Sequence, residues 1–230
     1  MHLFFDPSFP ENTSLSEEES KHANRVLRLK IGDQIGVING KGSFFTCEIS
    51  ELGKKKCSVL ILEEKKDKEK PYRIHIAIAP TKNIDRTEWF VEKCVEFGID
   101  EISFILTKNS ERKVIKLDRI QRIAIAAMKQ SQRAFLPQIN ELSAIKDFIT
   151  NCKDETKGIA HLVDNSRNHI KDIKLNSSYC ILIGPEGDFR PNEVDLALAN
   201  DFTPLTLGDY RLRTETAGVA ACHALNFLHE

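Results

Sequence analysis

Two apolar runs in the last third of the chain each break into a glycine-bearing loop followed by a helix, and those loops carry the residues best suited to chemistry. Tyr179 to Ile183 leads into Gly184-Pro185-Glu186-Gly187-Asp188-Phe189, and Leu205-Thr206-Leu207 leads into Gly208-Asp209-Tyr210-Arg211-Leu212-Arg213-Thr214. Loops at the carboxyl ends of parallel strands are where open α/β sheets bind ligands. Glycine at 184, 187 and 208 allows tight turns and close backbone approach, which turns N–H and C=O groups toward a cavity. Beside Ile183, Leu205, Leu207 and Leu212, such groups suit a neutral purine ring and a flexible thioether tail. They suit a triphosphate poorly, because nothing cationic lies within Gly184 to Phe189.

Other chemistries lack the residues they need. The first strand-to-helix junction of the same region reads Ala79-Pro80-Thr81-Lys82-Asn83-Ile84-Asp85, where a dinucleotide site requires G-x-G-x-x-G. No G-x-x-x-x-G-K-[ST], G-x-S-x-G or H-E-x-x-H occurs. The six cysteines (Cys47, Cys57, Cys94, Cys152, Cys180 and Cys222) are spread without a C-x-x-C pair, so no metal and no disulfide framework is expected. Net charge is −1 over 230 residues, which is silent about polyanionic partners. Locally, eight basic residues between Leu106 and Arg133 stand against only Glu111 and Asp118, an excess that could track phosphates. No apolar run approaches the roughly 20 residues that span a bilayer. Met1 to Pro7 has neither a basic n-region nor a cleavage site, so a soluble, cytoplasmic protein is expected.

The elements that must position these loops follow from the patterning. Ser16-Glu17-Glu18-Glu19 reads as a capping box, with Ser16 as N-cap and Glu19 reaching back, opening a helix through Val26-Leu27 that ends near Gly32. Gln34–Ile38 and Phe44–Ile49 flank the hairpin signal Asn39-Gly40-Lys41-Gly42, and Cys57–Leu62 supplies another strand. The charged run from Glu63 to Pro71 reads as a linker, giving an N-terminal β domain at 1–70 and a second domain at 71–230. There, strands are expected at Arg73–Ala79, Glu101–Leu106 and Ile159–Val163. Helices are expected after Asp85 (carrying Trp89 and Phe90 as core and stopped by Gly98), over Leu117–Ala134 and over Ala144–Asn151. His75 reads as structural. Pro191 suits the first turn of a helix. Ala217, Ala220, Ala221, Ala224, Leu225 and Leu228 form a stripe on the last one. Five βα units in series imply a mostly parallel sheet, an α/β fold.

With these residues in view, the chain resembles the bacterial small-subunit (16S) ribosomal RNA uridine-N3 methyltransferases of the SPOUT superfamily, nearly end to end. The resemblance rests on His22-Ala23-Asn24-Arg25-Val26-Leu27-Arg28-Leu29-Lys30-Ile31-Gly32-Asp33, on Lys93 to Gly98, on Gln130-Ser131-Gln132-Arg133, on Ile183 to Gly187, and on Leu207-Gly208 with Leu212 to Ala217. It implies a small N-terminal PUA-like β-barrel that binds RNA and a C-terminal SPOUT methyltransferase domain with a deep trefoil knot. It further implies a homodimer and S-adenosylmethionine as cofactor. Cofactor-binding residues would be Leu162, Ile183, Gly184, Pro185, Glu186, Gly187, Leu207, Gly208, Leu212 and Thr216. The partner would be 16S rRNA in the small ribosomal subunit, touched by His22, Arg25, Arg28, Arg112, Lys113 and Arg133. Arg25 and Arg28 are expected on one helix face with Lys21.

For the reaction, a fixed cation beside the uracil carbonyl oxygens would favour the ring anion that must form, a role open to Arg213 or Arg133. Glu186 and Glu215 are candidate bases. Two residues depart from the family pattern: Asp188 stands where a second glycine is usual, and Tyr210 stands where an arginine is usual, with Arg211 following. The same scaffold could instead modify another nucleotide of rRNA or tRNA, or act as a non-catalytic RNA-binding assembly factor.

Overall fold

The structure is a computed structural model that describes residues 1–162 and 168–230. In chain order its elements are β1 His2–Phe5, α1 Glu17–Lys21, β2 Gln34–Ile38, β3 Ser43–Leu52, β4 Cys57–Lys66, β5 Arg73–Ile78, α2 Ile84–Glu96, β6 Glu101–Leu106, α3 Leu117–Gln130, β7 Gln138–Ala144, α4 Ile145–Asn151, β8 Thr156–Ala160, β9 Asn168–His169, β10 Ser178–Ile183, α5 Pro191–Leu198, β11 Thr203–Thr206 and α6 Thr214–Phe227. They form two compact units: Met1–Glu69 with Met128–Leu136, and Lys70–Ala127 with Pro137–Glu230. Grouping of 128–136 with the first unit is invisible to any single boundary along the chain. Among the described residues no helix is long and apolar enough to cross a membrane.

In the first unit, β1 to β4 lie in sequence order in one sheet, with β1 parallel to β2 and the other pairs antiparallel. Alternation along β3 buries Phe45, Cys47 and Ile49 against Phe4, Phe9, Leu15, Ile35 and Val37. The 39–42 hairpin joins β2 and β3, with Gly40 and Gly42 at φ +73° and +96°. β4 runs further than its apolar residues, pairing Lys65 with Phe44 and Lys66 with Ser43. The charged run is therefore strand up to Lys66 rather than linker. It lies on an edge, where charge discourages pairing with other chains.

The helix after Ser16 also departs from expectation. Ser16 Oγ accepts the Glu19 N–H at 3.2 Å, but Glu19 does not complete the box. Its carboxylate instead accepts the Phe5 N–H at 3.3 Å and meets Lys129 Nζ at 2.8 Å, while the Ser16 N–H goes to Asp6 Oδ2 at 3.1 Å. From His22 to Val26 the helix widens to π geometry, with the Leu27 N–H reaching His22 O at 3.0 Å. Arg28 lies beyond that end at φ +55°. Arg25 and Arg28 therefore do not share an α-helical face with Lys21.

In the second unit a seven-stranded sheet has the order β7-β6-β5-β10-β8-β11-β9, every pairing parallel. α2 starts two residues earlier than expected, because the Asn83 side chain caps it by accepting the Asp85 N–H at 3.2 Å. It ends as expected at Gly98 (φ +79°). The Ile99 N–H bonds Cys94 O at 3.0 Å and the Gly98 N–H bonds Val95 O at 2.9 Å, the paired bonds of a Schellman motif. Phe90 is fully buried, whereas Trp89 is 42% exposed and not core. α3 closes four residues before Ala134 by the same pair of bonds, with Gln132 rather than glycine in the left-handed position. β7 and the first three residues of β8 were not anticipated. β8 ends at Ala160, and the expected strand end at Val163 lies outside the described residues.

α6 buries Thr214, Glu215, Gly218, Ala221, Cys222 and Leu225, a face rotated by about one residue from the expected alanine stripe. Gly218 is the reason: a Cβ there would lie 2.5 Å from Phe90 Cε2 and 3.1 Å from Ile78 Cδ1. The close approach selects this face against α2 and β5. Gly218→Val is expected to destabilise the protein by about 1–3 kcal/mol through overpacking, read as a lower urea midpoint with unchanged slope.

Candidate functional site

Register brings the loops together. Ile183 of β10 pairs with Ile78 of β5 and Ala160 of β8, and Ala160 pairs with Leu205 of β11. Four parallel strands thus end at one edge, and the chain leaves each as a loop: 79–83, from 161, 184–190 and 207–213. The last three loops enclose a cavity of about 300 Å³, at the lower bound for small-molecule sites.

Of the residues expected to bind cofactor, Leu162, Ile183, Gly184, Pro185, Glu186, Leu207, Gly208 and Leu212 line this cavity. Gly187 and Thr216 do not. Gly187 backs onto Asn109, whose Nδ2 donates to Gly187 O and Asp188 O, each at 3.0 Å. Thr216 lies in the first turn of α6, beside the lining residues Thr214 and Ala217. The walls are apolar at Leu162, Ile183, Leu205, Leu207 and Leu212. Gly208 sits at φ +139°, a conformation that disfavours any side chain, and the space where its Cβ would stand is open.

Several residues shape the cavity through side-chain bonds that the sequence does not announce. Asp188 adopts φ +59°, the left-handed region that glycine favours. Its own side chain supports that conformation. Oδ1 accepts the Phe189 N–H at 2.8 Å, Oδ2 accepts the Leu162 N–H at 2.9 Å, and its backbone N–H closes a turn onto Pro185 O at 2.9 Å. Asp188 therefore holds the loop after β8 against the loop after β10. Thr214 Oγ1 donates to Gly184 O at 3.0 Å and Arg211 Nη2 donates to Glu186 O at 3.2 Å, joining the loop after β11 to the same frame. Arg211 thus has a structural anchor, while Tyr210 before it is 88% exposed. Buried His161 also lines the cavity. Glu193 braces the assembly from behind, accepting the Arg190 and Lys108 N–H groups at 2.8 Å each.

The ionisable candidates separate clearly. Arg213 is the N-cap of α6 and lines the cavity with its side chain exposed. No hydrogen bond or ion pair to another described residue holds its guanidinium. Glu186 also lines the cavity, with Oε1 accepting the Lys82 N–H at 3.0 Å. Glu215 is buried and not part of the lining. Its Oε1 is 3.8 Å from Arg86 Nε, and its Oε2 has no partner among the described residues. Arg133 belongs to the first unit.

Among the residues expected at RNA, Arg112 is turned inward: its Nε donates to Thr81 O at 3.1 Å and its Nη2 to Lys82 O at 2.7 Å. These bonds tie it to the loop after β5. Lys113 is exposed. In the first unit, His22, Arg25 and Arg28 are exposed, and His22 and Arg25 border a shallow surface depression with Lys21.

Comparison with known proteins agrees along the whole chain. Residues 68–226 match the model of an RNA methyltransferase domain, and residues 15–62 match that of an RNA methyltransferase PUA domain. The crystal structure of a probable rRNA-methyltransferase from Porphyromonas gingivalis aligns with a TM-score of 0.91 at 41% identity, covering 100% of both chains. The ribosomal RNA small subunit methyltransferase E of Neisseria gonorrhoeae, crystallised bound to S-adenosyl methionine, aligns at 0.87 with 29% identity over 99% of this chain and 98% of its own. The ribosomal RNA small subunit methyltransferase E of Bacillus subtilis is 28% identical over 94% of this chain and 90% of its own.

Proposed function

Because the chain belongs to the RNA methyltransferase family, we propose that it methylates N3 of a specific uridine in the 16S rRNA of the small ribosomal subunit, using S-adenosylmethionine. One observation carries the reading: three loops at the carboxyl edge of a parallel sheet enclose a small cavity with apolar walls and backbone-rich turns. A relative of the same fold is crystallised with this cofactor. Open space at Gly208 and the apolar side chains of Leu162, Ile183, Leu207 and Leu212 fit a purine and a thioether. When bound, the cofactor supplies a methyl group on a sulfonium, activated for transfer without covalent help from the protein.

What remains for the protein is alignment and charge. Backbone groups of 184–186 and 207–208 hold the cofactor, and the ties through Asp188, Thr214 and Arg211 keep those loops in place before it arrives. The uridine N3 must lose its proton, and the charge that develops spreads onto the flanking carbonyl oxygens. Arg213, unpaired among the described residues at the rim, is the cation assigned to them. Glu186 is the candidate proton acceptor, with Oε2 left for this task. Arg25, Arg28, Arg112, Lys113 and His22 are assigned to RNA, and Arg133 to a phosphate. The reading includes a trefoil-knotted second domain and a homodimer with the active site at the subunit interface.

The competing reading, an RNA-binding assembly factor without catalysis, needs no cofactor. Calorimetric titration with S-adenosylmethionine separates the two. We expect saturable binding near one molecule per chain and a thermal midpoint that rises with ligand concentration. No heat and no stabilisation at high ligand concentration would favour the assembly factor.

A further inference from the structure

A second polar cluster lies at the opposite end of the same sheet. There, at the amino ends of β5, β6 and β10, a cavity of about 500 Å³ is lined by Arg73, His75, Glu101, Ser103, Cys152 and Asp154, among others. The methyl-transfer reading uses none of these residues. His75, Asp154 and Cys180 present one ligating atom each, and these atoms lie within 4.8 Å of one another. His75 Nδ1 is 3.3 Å from Asp154 Oδ2, and Cys152 Sγ is 3.6 Å from that same oxygen. The sequence hides the group completely, because the two cysteines stand 28 positions apart and neither belongs to a C-x-x-C pair.

We propose that His75, Asp154, Cys152 and Cys180 form a tetrahedral site for a thiophilic divalent cation of the zinc type. Zn–N and Zn–O bonds of about 2.0–2.1 Å and Zn–S bonds of about 2.3 Å give tetrahedral edges of about 3.3 Å between N and O and about 3.5 Å between S and O. The two distances above already have these lengths. The donor set of two thiolates, an imidazole and a carboxylate suits zinc rather than magnesium or calcium.

Charge and the surrounding hydrogen bonds are consistent with this site. Two thiolates and a carboxylate around a dication leave one net negative charge, and the Arg73 guanidinium lies 2.8 Å from the outer oxygen, Asp154 Oδ1. Arg73 also pairs with Glu101, which keeps that carboxylate out of the site. Ligation through Nδ1 requires the His75 tautomer protonated at Nε2. Ser103 Oγ is 2.8 Å from Nε2 and can accept that proton, while Asn140 Nδ2 donates to its second lone pair at 2.8 Å. Such a bond to the distal nitrogen fixes tautomer and ring orientation at metal sites. Binding breaks two S–H bonds as two metal–sulfur bonds form, and both protons leave to water.

The test is cobalt titration of the full-length protein, stripped with chelator and kept reduced. We expect one Co²⁺ per chain, with thiolate-to-cobalt charge-transfer absorption, displaced by an equivalent of Zn²⁺ and accompanied by a higher thermal midpoint. Cys152→Ser, at a half-buried position, should weaken cobalt binding at least tenfold and reduce the charge-transfer intensity, and His75→Gln should weaken it similarly. Circular dichroism on the same samples confirms that each variant is folded. If Cys180→Ser fails to fold, Cys152→Ser and Asp154→Asn decide. Absence of charge-transfer absorption in the wild type, or absorption unchanged in folded Cys152→Ser and His75→Gln, would overturn the site. Methyl transfer enters neither outcome.

Discussion

Replacing Arg213 with alanine is expected to lower kcat by about 10²–10³-fold, the loss measured when one preorganised donor is removed from a developing anion. The side chain stands at the N-cap of α6, where its backbone carbonyl accepts the Ala217 N–H at 2.7 Å, so the helix start fixes its position. Its guanidinium is held by no other described residue, and so costs no ion pair to redirect. Arg211 cannot substitute, because it is anchored to Glu186 O. An interaction made mainly in the transition state lowers kcat and kcat/KM together, whereas a phosphate contact raises KM with kcat unchanged. Single-turnover methylation with filter-binding affinity on the same RNA separates these. Wild-type turnover by Arg213→Ala with normal RNA binding would remove the residue from the chemistry.

Asp188 is expected to matter almost as much, through the cofactor rather than the chemical step. Alanine at φ +59° pays about 1–2 kcal/mol for a left-handed backbone. It also loses the carboxylate that accepts the Phe189 and Leu162 N–H groups, worth about 1.5–3 kcal/mol for charge-assisted bonds. Part of this total falls on loop order, and every 1.4 kcal/mol there is tenfold in affinity. Asp188→Ala should therefore weaken S-adenosylmethionine binding by about 30–100-fold. Asp188→Gly keeps the backbone conformation and loses only the ties, so its loss should be smaller, about 5–30-fold. Calorimetry on both variants checks the order. Equal affinity for wild type and both variants would show that the ties do not organise the site.

The same residue illustrates what can be read from a sequence. The glycines of the two loops mark the site because each answers a local need: Gly208 at φ +139°, and Gly184 where a Cβ would lie 3.1 Å from the Phe189 ring. Strands with strong local patterns, such as β6 and the β2–β3 hairpin, are legible for the same reason. Asp188 is legible only in part, because its place where a glycine is usual fits a left-handed backbone while nothing in the loop sequence announces its bond to residue 162. Ser16 caps α1 as expected, but the reciprocal Glu19 bond and the end of α3 differ from expectation for a related reason. Glu19 has better partners in Phe5 and Lys129 than the helix start it was expected to cap, and Gln132 closes α3 in a conformation the sequence assigns to glycine. β7 went unseen because Gln138-Ile139-Asn140-Glu141-Leu142 is polar and lightly patterned, and it forms as an edge strand against β6. On α6, alanine spacing indicated one face and the close packing of Gly218 selected another. The charge of Arg112 is plain in the sequence, whereas its bonds to two backbone carbonyls of the loop after β5 are not.

The central claim is methylation of uridine N3 in small-subunit rRNA. Its most direct test is to incubate small-subunit rRNA, free and in assembled subunits, with the protein and isotopically labelled S-adenosylmethionine, digest it to nucleosides, and identify the labelled product by mass spectrometry. The RNA should come from cells lacking the gene. The account predicts label in 3-methyluridine alone, at one position. Label in any other nucleoside, or none while the protein binds both cofactor and RNA, would contradict it.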